Sequence, residues 1–345
     1  MYRKGISMSF QTALAVSVNL RTFVQLKETD QVKVVLDLPD IKLHNAWEME
    51  DISKAFEDII IGDLFTPMPV TEDLLSKLKK LANIPEEEVS LKNLAIISFL
   101  YIYLAIMSHK RKDGLQSLSV KVTSNLPTGS GLGSSAAYSV SLAAALLTYS
   151  GVVTPINDEN DNKYMKWTKD DLELINKWGF EAERIIHGTP SGIDNSVSTY
   201  GGAIHFKRVK DTDGEMVPQI TPLQRVPELR ILLVNTRIPR ITKILVANVK
   251  KKLEKYPDII NPIFDAIDGI SIRCENLFKD MKEKDCDHIY REIEELIDIN
   301  QSLLGILGVS HPSLEQVVQI TSKHGLHSKL TGAGGGGCAL TLIAP

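Results

Sequence analysis

The chain has 345 residues, 43% of them hydrophobic, which is enough to bury a substantial core, and its length favours two domains over one. Its 39 basic and 43 acidic residues leave a formal charge of -4 with no long run of one sign. That balance argues against nucleic acid or a lipid surface as partner and for a small molecule. Cys274, Cys286 and Cys338 are an odd, scattered set without metal-ligand spacing. Neither a disulfide framework nor a structural zinc site is expected, and a reducing compartment suits them; the cytoplasm is the expected location, with the peroxisome as the alternative.

The opening "MYRKGISMSF" has no apolar run of signal-peptide length. Residues 13–26 and 31–38 are rich in β-branched residues and partly alternating, which predicts an opening hairpin or meander. Helical spacing follows over 47–59, 71–82 and 89–108. The stretch "LAIISFLYIYLAIM" (94–107) is too short to span a bilayer comfortably and reads as a buried helix. In "SLSVKVTS", Leu118, Val120 and Val122 share one face of a strand that leads into "LPTGSGLGSSAA", residues 126–137.

The next helix starts near Ser134, is apolar around most of its circumference and ends at Gly151. Residues 152–167 form a polar loop, after which Thr168 and Asp171 make a capping-box signature for a helix that Gly188 and Pro190 stop beyond His187. "GGAIHFKR" predicts a strand, "DTDGE" a turn and "ELRILLVNT" a buried strand. A change of composition near residue 228 divides the chain into domains 1–227 and 228–345. Helical patterns dominate 241–324, and "HSKLTGAGGGGCALTLIAP" reads as strand, glycine loop, strand.

A strand feeding a glycine-rich turn at a helix start leaves backbone N–H groups unpaired, with the helix dipole adding positive potential. Gly129, Gly131 and Gly133 permit close approach of an anion, and Ser134 and Ser135 can donate to phosphate or ligate Mg²⁺. A tight turn that only serves packing is the alternative. The lysine of a Walker P-loop is missing after Gly133. Gly131, Gly133 and Ala136 satisfy G-x-G-x-x-A, but "PINDENDN" follows where a dinucleotide fold needs a strand ending in an acid.

In "FEAERIIHGTPSGIDNSVSTYGG" (180–202), Glu183 lies one turn before a helix end and Ser191, Gly192, Asp194 and Asn195 follow in a tight loop. Two carboxylates so placed could supply an Mg²⁺ ligand and a group near an attacking hydroxyl, as phosphoryl transfer requires. A solvated helix-end glutamate and an Asx-turn aspartate would leave the same trace. Five glycines between residues 332 and 337 are costly to order, so "LTGAGGGGCAL" points to close backbone approach in preference to a linker.

These three segments, in this order, resemble the GHMP small-molecule kinases: "PTGSGLGSSAA" is similar to their phosphate-binding motif and "KLTGAGGGGCALTL" to their C-terminal glycine motif. "NLRTF", "WTKDDLELINKW", "ERIIHGTPSGIDNSVSTYGG" and "HGLHSKLTGAGGGGC" resemble the animal mevalonate branch, from about Thr12 to the last residue. The resemblance implies an α+β, two-domain GHMP kinase fold: an N-terminal domain with a left-handed βαβ unit and a ferredoxin-like C-terminal domain. It implies ATP and Mg²⁺ as cofactors, mevalonate as acceptor through its primary hydroxyl, and a homodimer.

Carried over by motif, Ser124 and the run Gly129, Ser130, Gly131, Leu132, Gly133, Ser134 and Ser135 would hold the ATP phosphates. Ser135 and Glu183 would ligate Mg²⁺, and Asp194 would be the catalytic carboxylate. Thr242, Gly334, Gly335 and Gly336 would line the substrate cleft. Asp40 stands where the family often has an asparagine near the nucleotide. The family's opening "GKVIL.GEHAVVHG" has no counterpart here, and Lys4 lacks its flanking pattern. The family also continues past the glycine motif, so first strands and C-terminal elements are expected to be missing. A weakly active or inactive ATP-binding form that associates with the full-length kinase is the alternative function.

Overall fold

The computed structural model describes residues 12–57, 63–88, 90–109, 115–156, 166–210, 216–223, 228–238, 242–281 and 287–344. The expected turn at 211–215, Lys4, Cys286 and the residues just before the expected boundary at 228 lie outside them. Four strands come first: β1 (Ala13–Val16), β2 (Thr22–Glu28), β3 (Lys33–Leu38) and β4 (Leu43–Glu48). Helices α1 (Met49–Ala55), α2 (Glu72–Leu81) and α3 (Leu91–Ser108) lead to β5 (Leu118–Ser124), then α4 (Ser134–Tyr149), α5 (Lys169–His187) and α6 (Ile193–Tyr200). Strands β6 (Ala203–Lys210), β7 (Met216–Pro222) and β8 (Arg230–Asn235) precede α7 (Thr242–Lys255), α8 (Pro257–Asp280), α9 (Asp287–Leu307) and α10 (Pro312–Ser322). Strands β9 (His327–Leu330) and β10 (Cys338–Ile343) close the described chain.

The chain forms two compact units that interleave in sequence. One holds residues 18–126 and 133–200, the other residues 1–17, 127–132 and 201–345. In the first, the sheet order is β2-β5-β3-β4, with β5 antiparallel to β2 and parallel to β3. The expected opening hairpin is therefore not formed, because β5 separates β2 from β3. Leu118, Val120 and Val122 on β5 are buried, whereas β2 leaves Phe23 exposed, so the more apolar strand takes the interior place and the half-solvated one the edge. Residues 47 and 48, expected in a helix, complete β4, where Leu43 and Trp47 are buried on alternate positions.

Helix α3 is long and apolar enough to cross a membrane by length and composition, yet every residue from Ile96 to Met107 is buried in this unit. A helix apolar all round fits a protein core. Around it gather Leu36, Ile52, Leu78, Val120, Leu146 and Trp178, whose indole Nε1 donates to the Leu64 carbonyl at 2.9 Å. The capping box at Thr168 is formed in both directions and starts α5.

In the second unit, β1 pairs with β6 in the sheet β1-β6-β7, and β10 lies between β8 and β9 in another. One core cluster joins Leu253, Ile260, Leu314 and Leu330, and a second joins Phe278, Ile289, Ile293 and Leu342.

Candidate active site

Helix α4 begins without a side-chain cap. Its N-cap is Gly133, at φ 71°, which has no side chain to accept from the first-turn N–H groups. Those donors are the orphan groups that make a helix start attractive to an anion. A Cβ on Gly133 would meet the Asp194 Cβ at 3.5 Å, an ordinary contact, so the left-handed backbone and not lack of room selects glycine there. Gly129 and Gly131 also have positive φ, 70° and 78°. Ser130 Oγ donates to the Pro127 carbonyl at 2.7 Å, and the Ser130 carbonyl accepts from Cys338 N at 3.1 Å, which ties the turn to the start of β10.

Ser134 opens α4, and Ser135 is brought to Glu183 on α5: Ser135 Oγ donates to Oε2 at 3.4 Å. Ser139, one turn further along the same face of α4, donates to Glu183 Oε1 at 3.4 Å. His187 Nε2 is 3.0 Å from Ser135 Oγ and 3.7 Å from Glu183 Oε2. A hydroxyl has one proton, so while Ser135 donates to Glu183, His187 donates to Ser135 through Nε2. Glu183 is 3% exposed. Burial pushes its carboxyl up to about 7; the Asp194 charge adds to the rise, and the two serine hydroxyls oppose it. Burial lowers the His187 imidazole, against the attraction of Asp194.

Among the described residues Glu183 has no lysine or arginine within ion-pairing distance; its partners are two hydroxyls and a histidine. A buried carboxylate served by hydroxyls, with a second carboxylate close enough to repel it, suits a divalent cation that takes hard oxygen ligands.

Ser191, Gly192, Asp194 and Asn195 do not all lie in a loop. Asp194 and Asn195 sit in the first turn of α6, Asp194 exposed and Asn195 buried. The sequence "IDNSVSTY" is poor in helix formers, so this helix is held by its neighbours and not by propensity. Gly192, at φ 85°, turns the chain into it.

At the end of β5, Ser124 donates its N–H to Asp40 Oδ2 at 2.7 Å, and its hydroxyl lies 2.8 Å from Thr22 Oγ1. Asp40 thus has a backbone partner. A cavity of about 300 Å³ starts two residues beyond it, bounded by Lys42, His44, Asn83 and Lys92.

In the other unit, Thr242 is the first residue of α7. Gly334, Gly335 and Gly336 have φ of 76°, 70° and 135°. A Cβ on Gly334 would stand 2.0 Å from the Val309 carbonyl oxygen, and one on Gly336 2.6 Å from that of Ile238. Close backbone packing is what these glycines serve, with Gly335 N donating to the Val309 carbonyl at 2.7 Å. Ser139 and His187 escaped the sequence reading, although each lies four residues from a residue it named, one helical turn along the same face.

The GHMP kinase N-terminal domain model matches residues 100–202 and the GHMP kinase C-terminal model residues 279–345. Fold and motif order together define a small-molecule kinase of the GHMP class. The chain is 47% identical to the mevalonate kinases of Bos taurus and Homo sapiens, over 97% of its length and 81% of theirs. It is 40% identical to that of Arabidopsis thaliana, over 96% of its length and 85% of the other. The chain belongs to the mevalonate kinase family. The fold is shared with the Methanococcus jannaschii mevalonate kinase (TM-score 0.65, 22% identity, 97% of this chain and 84% of that one). It is shared too with the L. major mevalonate kinase solved in complex with R-mevalonate (TM-score 0.63, 20% identity, 97% and 82%).

Proposed function

We propose that this chain transfers the γ-phosphoryl group of ATP to the primary hydroxyl of mevalonate, with Mg²⁺, and that Ser135, Glu183 and Asp194 carry the reaction. The observation that carries the reading is their convergence at the uncapped start of α4: Ser135 Oγ on Glu183 Oε2, and Asp194 packed on Gly133. The family's known members here are mevalonate kinases, and these side chains supply what a phosphoryl transfer needs.

In this reading the N–H groups at the start of α4, from Gly133 to Ser135, receive the phosphates. Mg²⁺, held by Ser135 and Glu183, would offset charge on the transferred group. Asp194 accepts a hydrogen bond from the substrate hydroxyl, orients its lone pair toward the γ-phosphorus and takes the proton as the new P–O bond forms and the bond to ADP breaks. The convergence of all three groups favours this over a chain that merely binds ATP.

Incubating the purified chain with Mg·ATP and, separately, mevalonate, homoserine, galactose or phosphomevalonate tests the reading. Turnover with mevalonate at least about 10²-fold above the others supports it, because a site built to bind a particular set of polar groups rejects analogues lacking them by that much or more. Preference for another acceptor would refute it.

A further inference from the structure

The catalytic reading leaves unexplained a polar cluster on the far side of α6 from solvent. Asn195, 2% exposed, donates through Nδ2 to Asn176 Oδ1 on α5 at 2.7 Å. Thr199 Oγ1, one turn along α6, donates its single proton to the Asn195 carbonyl at 2.8 Å and lies 3.3 Å from the same Asn176 oxygen. One oxygen on α5 thus faces two successive turns of α6 and takes its short bond from Asn195. The Asn176 amide orientation is set by the Asn195 bond and by the Tyr200 hydroxyl, which also bonds the Asn176 side chain.

Helix α6 has eight residues, among them asparagine, two serines, threonine and valine. A segment so short and so composed is not stable as a helix alone, and its rotation is fixed by what grips it. Asp194 immediately precedes Asn195, so a rotation of α6 that broke the Asn195 bond would also swing Asp194 off Gly133. A buried amide left without its partner is costly, which makes the gripped orientation the strongly preferred one.

We propose that Asn176 is a positioning residue: its side-chain oxygen, which accepts from Asn195, fixes the rotation of α6 and thereby the place of the Asp194 carboxylate. The inference rests on the catalytic role proposed for Asp194. Asn176 itself touches neither substrate nor phosphate in this account. Its contribution is to kcat, since a misplacement of about 1 Å in a reacting group costs about 10²-fold in rate.

The test is a double-mutant cycle in the full chain, reading kcat and the two KM values with mevalonate and ATP. Asn176→Ala should lower kcat about 10- to 100-fold while both KM values stay within about twofold. Asn176→Asp, which keeps the acceptor oxygen, should recover most of the loss. In the Asp194→Asn background, Asn176→Ala should have no further effect on kcat. An equal loss in both backgrounds, or an unchanged kcat with only a lowered melting temperature, overturns the positioning role. Should Asn176→Ala fail to fold, Asn195→Ala removes the donor to Asn176 and must show the same kcat-specific loss. Full turnover by Asp194→Asn alone would instead strike the catalytic reading, and the positioning role with it.

Discussion

Ser135 Oγ lies 3.4 Å from Glu183 Oε2, so a hydroxyl in the first turn of α4 meets a carboxylate one turn from the end of α5. The meeting point is nearly dry on the glutamate side, and that dryness governs how the site responds to protons and to metal.

Burial raises the folded-state Glu183 carboxyl to about 7 from an ordinary 4.5. Between those values the folded chain holds a proton that the unfolded chain has released, so stability falls as pH rises through this window and is lowest above it. Replacing Glu183 by Gln removes the buried charge and should stabilise the metal-free protein at pH 8 by up to about 3 kcal/mol. Melting temperatures of both forms at pH 5 and pH 8 check this; equal differences at the two pH values would refute it. In turnover the sign reverses, since the charged form binds cation. Activity should fall below about pH 7, with the acid limb moving down as Mg²⁺ is raised.

Gly334 and Gly129 share a left-handed backbone but not their surroundings. Alanine at Gly129, where nothing lies within 4 Å, should cost only the conformational penalty of about 1 to 2 kcal/mol. Alanine at Gly334 must also displace the Val309 carbonyl oxygen, 2.0 Å from the added Cβ, and should destabilise clearly more. Urea midpoints of the two variants decide the order.

Thr168 and Asp171 cap α5 far along the helix from Glu183. Thr168→Ala should cost about 1 kcal/mol and leave kcat unchanged. Chemical denaturation and a turnover assay on the same preparation report both.

Burial pushes the Cys274 thiol up to about 11, so its thiolate is scarce at neutral pH. At pH 8 iodoacetamide should label Cys274 in the native protein at least about 10²-fold more slowly than in urea. Peptide mass spectrometry over time gives the ratio.

Features decided by neighbours in the chain were legible in the sequence. The Thr168 capping box, the Gly151 and Gly188 helix stops, the buried α3 and the strand entering the glycine turn all rest on spacings of a few residues. Long-range pairing was not. Nothing in residues 13–38 announces that β5 will come between β2 and β3, or that β1 will pair with β6 in another unit. Helix α6 was hidden for a different reason: its residues favour turns, and tertiary bonds such as Asn195 to Asn176 override that preference. The Ser135 and Glu183 pairing came from family resemblance, and the structure brings the two side chains together.

The most direct test is a single-turnover experiment with γ-labelled ATP, mevalonate and Mg²⁺, run on the unaltered chain and on Asp194→Asn, with ATP binding measured on both. The account predicts label transfer to mevalonate by the unaltered chain, loss of about 10³-fold or more with Asp194→Asn, and ATP binding retained in both. Equal transfer rates, or no transfer to mevalonate by a folded chain that binds ATP, would contradict it.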